Sequence, residues 1–119
     1  SWLEAGLNWR LVEDSDVEYP LLDGLTIVNF GSGHAYGMMG LLVELSQSGN
    51  FLLVSDALYS SENFGPPVKL PGLVHDSLGY VATAKRIRQY ADRKNARILF
   101  GHDKKQFESL KKSSEGYYE

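Results

Sequence analysis

The sequence predicts one α/β (α+β) domain in which a mixed sheet carries its helices on one face. Three observations predict it. Short apolar runs rich in Leu, Ile and Val recur at 25–30, 39–45, 51–54 and 97–100, the pattern of buried strands. Between the last two, Tyr80, Ala84, Ile87 and Ala91 repeat at the spacing of one helix face. The chain has 119 residues, 43% hydrophobic and 23% charged, which suits one folded domain with a small core and excludes a disordered chain.

The elements follow in order. Residues 7–12 read as a short strand, and the acidic run 13–18 as a solvated loop. Asp23-Gly24 is a turn signal ahead of strand 25–30. Gly31-Ser32-Gly33-His34 is a glycine-rich loop that ends in histidine; Gly31 and Gly33 suit tight backbone geometry. Strands 39–45 and 51–54 flank Gln47-Ser48-Gly49-Asn50, a turn composition, so the pair predicts a hairpin with Asp56 just beyond it. Residues 60–76 hold Pro66, Pro67 and Pro71 and read as a long, stiff loop that helps to line the site. A helix starts near Ser77, with Asp76 or Ser77 as its N-cap, and Lys85, Gln89, Asp92 and Arg93 take its outer face. Strand 97–100 leads into Gly101-His102-Asp103, and 104–112 reads as a final helix. Trp2 and Trp9 are expected in a core or an interface. His75, after the proline-rich loop, is expected to be a surface or loop-packing residue.

Composition narrows the function. A net charge of −3 argues against nucleic acid as a partner, since phosphate binding needs a basic face. No apolar run approaches the roughly 20 residues of a membrane span. The chain has 0 cysteines, so disulfides and thiolate metal sites are excluded. Any metal is held by His, Asp, Glu or main chain, which suits zinc or manganese at a catalytic site. The absence of cysteine also fits a cytoplasmic protein. The first residue is Ser1 rather than Met, which predicts processing or a longer parent.

Strand order makes a geometric prediction. His34 stands before the first strand of the hairpin and Asp56 after the second, and antiparallel strands joined by a tight turn bring those two positions to one edge. The helical crossover makes strands 51–54 and 97–100 parallel. His102 therefore reaches the same edge, where such sheets commonly bind ligands. Two imidazoles and a carboxylate suit a divalent metal, and a carboxylate can bridge two metals that together activate water and polarise a carbonyl. Each residue also has a plain reading. A histidine after a strand can be a loop residue, and Asp56 can cap a turn. Convergence on one edge is what favours a metal site.

These segments resemble a known family. Gly33-His34 with Gly37 resembles the Gly-His-x-x-Gly segment of metallo-β-lactamase-fold hydrolases, Asp56 their bridging aspartate, and Gly101-His102 their last histidine. Asp56-Ala57-Leu58-Tyr59, followed by Ser61-Glu62-Asn63-Phe64, is similar to the N-acyl homoserine lactonases, the quorum-quenching branch of those hydrolases, as is Phe100-Gly101-His102-Asp103. The resemblance runs from about Trp9 to the end and implies that residues 1–119 are the C-terminal half of an αββα sandwich. It implies two divalent metal ions, taken as Zn²⁺, with His34 on the first, His102 on the second and Asp56 bridging. It also implies that Tyr59 contacts the lactone carbonyl and steadies the oxyanion as the ring opens; the other reading of Tyr59 is a packed loop aromatic.

Two departures matter. Met38 stands where the family often has a second histidine, which removes a hydrogen bond behind the ligands. No histidine precedes His34, so the family's His-x-His-x-Asp-His motif is expected in a separate N-terminal half. The chain alone is then expected to be inactive and to leave one sheet face uncovered, open to that half or to a homodimer. Two further readings stand beside a lactonase. One is another hydrolase of the same fold, such as a glyoxalase II-like thioesterase. The other is a non-catalytic interaction module.

Overall fold

The computed structural model describes residues 4–15 and 17–119. Trp2 and Asp16 of the acidic run lie outside the described residues. Five strands form one sheet in the order β1 (Glu18–Leu22), β2 (Leu25–Gly31), β3 (Met38–Leu45), β4 (Gly49–Leu53) and β5 (Ala96–Leu99). The first four are antiparallel neighbours, and β5 joins β4 in parallel. The helices are α1 (Ser61–Phe64), α2 (Ser77–Lys94) and α3 (Lys104–Ser109). The expected hairpin β3–β4 and the parallel crossover through α2 are both present.

The sheet and α2 share one core because their apolar faces match. Thr26, Leu42, Leu52 and Ile98 stand side by side across β2 to β5. Val28, Phe30, Leu42 and Leu52 are buried with Tyr80, Ala84, Ile87 and Ala91 of α2, the four residues whose spacing predicts that face. Lys85, Gln89, Asp92 and Arg93 are exposed. Each fully buried Leu or Ile contributes about 1.5–3 kcal/mol over an exposed one. Asp76 caps α2 by accepting a bond from the Gly79 amide at 2.9 Å, and the left-handed Asn95 ends it. Gly40 is where the sheet meets the Phe30 ring: a Cβ there would lie 2.4 Å from Phe30 Cε2.

Side chains alternate across a strand, so the next row, Ile27, Leu41, Leu53 and Leu99, belongs to the opposite face. Among the described residues only α3 borders this row, at its Leu99 end. Met39 and Leu53 are exposed there, and Ile27, Leu41, Val43 and Leu99 are half-buried. Tyr118 packs on Phe51 at 5.1 Å between ring centres and covers one end of the face.

Three expectations need correction. Residues 7–12 are not a strand: Leu7 and Leu11 are exposed, and among the described residues no strand pairs with them. Trp9, expected in a core or an interface, is 52% exposed, which leaves the interface reading. The acidic run does not end in loop. Glu18 begins β1 instead, and its carboxylate accepts from the Tyr90 hydroxyl at 2.6 Å and pairs with Lys94 Nζ at 3.0 Å. The final helix is also shorter than expected. Leu110 is extended, and the Lys112 ammonium folds back onto the carbonyls of Phe107 and Leu110. The described residues contain no helix long and apolar enough to cross a membrane.

Candidate metal centre

His34 sits in the turn between β2 and β3, and α2 holds that turn from behind. The carbonyl of Gly33 accepts from the amides of His75 at 3.0 Å and Asp76 at 2.9 Å. The Ser32 hydroxyl donates to Asp76 Oδ2 at 3.0 Å, and the Thr83 hydroxyl lies 2.8 Å from the Ser32 carbonyl. The Gly79 amide, then the Ser32 hydroxyl, lower the Asp76 carboxyl below the usual aspartate range. Gly33 allows this approach: its φ is +155°, and a Cβ would lie 3.0 Å from Tyr80 Cα.

Asp56 lies in the 3₁₀ turn Ser55–Ala57 that follows β4. His102 follows β5. The amide of Gly101 donates to the Leu58 carbonyl at 3.3 Å and that of His102 to the Tyr59 carbonyl at 2.7 Å. The segments after β4 and after β5 therefore run side by side. Asp103 caps α3, with Oδ1 accepting from the Gln106 amide at 3.0 Å. Its Oδ2 accepts from the Ser61 amide at 2.9 Å and the Ser61 hydroxyl at 2.7 Å. These bonds, the Gln106 amide first, hold the Asp103 carboxyl at about 2.

The sheet edge brings the trio together. His34 Nε2 is 3.8 Å from Asp56 Oδ2, and His102 Nε2 is 2.9 Å from Asp56 Oδ1. The two imidazoles thus meet opposite oxygens of one carboxylate. Among the described residues no group of three or more His, Asp or Glu could hold a metal ion as it stands. Tyr59 packs on both histidines, with ring centres 5.2 Å from His34 and 4.9 Å from His102. His34 Nδ1 lies 3.2 Å from the Leu73 carbonyl and 3.2 Å from the Tyr59 hydroxyl. A carbonyl can only accept, so the Leu73 contact assigns the proton to Nδ1 and leaves the Nε2 lone pair toward Asp56. That one Nδ1 proton is shared between the Leu73 carbonyl and the Tyr59 oxygen, and the Tyr59 proton is left available to another acceptor.

His75 takes no part in the trio. It is exposed and packs against Tyr36, with ring centres 4.4 Å apart and planes tilted by 56°. Residues 60–76 do border the centre through the Leu73 carbonyl, but α1 interrupts them. The sequence reading does not single out Asp103; its place just before α3 could have signalled the cap, whereas nothing local signals that Ser61 binds its second oxygen.

Comparisons with known proteins concern the chain as a whole. No protein-family model matches the chain. N-acyl homoserine lactonase AiiB of Agrobacterium fabrum is 49% identical over 119 residues, which are 100% of this chain and 43% of the relative. N-acyl homoserine lactonase AttM of Azorhizobium caulinodans is 34% identical over 96% of this chain and 43% of its own length. A solved structure of N-acyl homoserine lactone hydrolase, with the product N-hexanoyl-L-homoserine at its catalytic metal centre, superposes with a TM-score of 0.79. It is 29% identical, over 98% of this chain and 44% of that one. Over nearly its whole length the chain is similar to part of these lactonases, as a C-terminal half of the fold would be. It spans less than half the length of the curated lactonases it matches. A probable metal-dependent hydrolase from Staphylococcus aureus, 17% identical with a TM-score of 0.59, shares the fold over 72% of this chain.

Proposed function

We propose that this chain is the substrate-facing half of a metal-dependent hydrolase that opens the lactone ring of N-acyl homoserine lactones. One observation carries the reading: His34 and His102 approach opposite oxygens of Asp56, with Tyr59 packed on both. Two imidazoles and a carboxylate are a donor set for Zn²⁺, and the Nδ1–H tautomer of His34 leaves the nitrogen that a ligand needs. His34 would hold one metal and His102 the other, with Asp56 shared between them. Divalent metals held there would supply an activated water and polarisation of the ester carbonyl. The Tyr59 hydroxyl donates to that carbonyl oxygen and strengthens the bond as negative charge develops there. Water adds across the ester, and the ring opens to the N-acyl homoserine.

Three donors do not complete two metal sites. The rest come from a His-x-His-x-Asp-His segment of a second half, whose sheet packs on the row Ile27, Leu41, Leu53 and Leu99. A second copy of the chain is the other partner that this face suits. The protein works in the cytoplasm on a small-molecule substrate, without nucleic acid or membrane as a partner.

The test is substrate profiling of the full-length protein with metal analysis. About two divalent ions per protein, and ring opening that chelation abolishes, are expected. Near-zero metal in protein purified without chelator would sink the reading. Thioester cleavage far faster than lactone opening would move it to another hydrolase of this fold. Tyr59→Phe is expected to lower kcat about 10²-fold, as loss of one oxyanion donor does.

A further inference from the structure

We propose that Asp103 is a positioning residue of this centre: its carboxylate ties Ser61 to the first turn of α3 and so fixes Tyr59 against His102. The inference rests on the lactonase reading for its kinetic consequence, but not for its structural one.

The hydrogen bonds separate a clamp from a simple helix cap. Capping α3 takes one oxygen, Oδ1, on the Gln106 amide. The second oxygen has two donors from Ser61, its amide and its hydroxyl, which α3 does not need. Ser61 begins α1, two positions after Tyr59. The result is a ladder between two segments far apart in sequence: Gly101 to Leu58, His102 to Tyr59, and then Ser61 to Asp103. The first two rungs are main chain to main chain. The third is made by a side chain, so it is the rung a substitution can remove while the others stay. It lies just beyond the residues that carry the Tyr59 hydroxyl and the His102 imidazole. On the other side of His102, the Gln106 amide group accepts from the Phe100 amide at 2.9 Å and donates to the Ile98 carbonyl at 2.8 Å. Gly101 admits the close approach that all this requires, since a Cβ there would lie 2.7 Å from the Ser55 carbonyl oxygen. The segment with His102 is thus held on both sides, and Asp103 is the connection to Tyr59. A hydroxyl that must meet a developing oxyanion loses most of its effect when it shifts by about 1 Å.

Asp103→Asn in the full-length protein tests this. Asparagine keeps an oxygen for the Gln106 amide and is as good an N-cap as aspartate. It turns an amide donor, rather than an acceptor, toward the two donors of Ser61. The variant is expected to lose about tenfold in kcat with KM within about twofold of the parent. Its metal content and melting temperature stay near the parent's, and amide exchange at His102 speeds up. Ser61→Ala, which keeps the main-chain donor, loses less. The double variant loses little more than Asp103→Asn alone, because both remove one shared contact. Parental kcat with parental His102 exchange overturns the proposal and leaves Asp103 as a cap. So does a loss of kcat that follows lost metal or lost stability while His102 exchange is unchanged. If the unsubstituted full-length protein opens no lactone, the functional reading fails, and the exchange measurement still decides the clamp.

Discussion

The two faces of the sheet are built from the same residue types and have different surroundings. Thr26, Leu42, Leu52 and Ile98 run across the face under α2, and Leu42 and Leu52 are buried. Ile27, Leu41, Leu53 and Leu99 run across the other face, where Leu53 is 38% exposed. A sheet that meets water on one side normally alternates apolar with polar residues. This one is apolar on both. The chain's own helix covers one face, and on the other Met39 and Leu53 stay exposed.

Substitutions on the two faces should therefore differ, and the first test has the largest effect. Leu52→Ala is expected to cost about 2–5 kcal/mol in chemical denaturation, the usual loss for a buried leucine. Gly40→Ala should cost about 1–3 kcal/mol, because its methyl group meets the Phe30 ring. Leu53→Ala, one position from Leu52 but on the open face, should cost under about 1 kcal/mol. A cost equal to that of Leu52 would mean that the face is covered within the chain. Leu53→Lys should leave the melting temperature almost unchanged and reduce self-association in sedimentation.

The smallest effect concerns the far end of the sheet. The Tyr90 hydroxyl, then Lys94, lower the Glu18 carboxyl below its usual range. A group lowered on folding contributes its full stability above the unfolded value, about 4.3 for glutamate. It loses that contribution as the pH falls through the folded value. Glu18→Gln should then be less stable than the parent by a constant amount near neutral pH, and the gap should close in acid. A gap that widens in acid would show that the contact does not favour the carboxylate.

The sequence makes the repetitive part of the fold legible. Strands β2 to β5 and helix α2 follow from local apolar periods, and strand order alone brings His34, Asp56 and His102 to one edge. β1 is not legible in this way. It starts within an acidic run and contains Pro20, and part of what holds it, Tyr90 and Lys94 on Glu18, belongs to a distant helix. Residues 7–12 have apolar residues of strand type but no partner strand, so composition misleads there. The proximity of His34, Asp56 and His102 is legible because their residue types and order carry the signal. The supports of the trio are not, because bonds such as Ser32 to Asp76 and Ser61 to Asp103 join residues whose proximity exists only in the fold.

The contact between Leu73 and His34 has a consequence for how this protein can diversify. The group that orients the imidazole is the Leu73 carbonyl, while the Leu73 side chain is 71% exposed at the rim of the centre. Every residue type carries that carbonyl. Position 73 can therefore change its side chain, and with it the surface offered to an incoming molecule, while the histidine keeps its tautomer. Selection on what enters the site is uncoupled there from selection on what holds the site together.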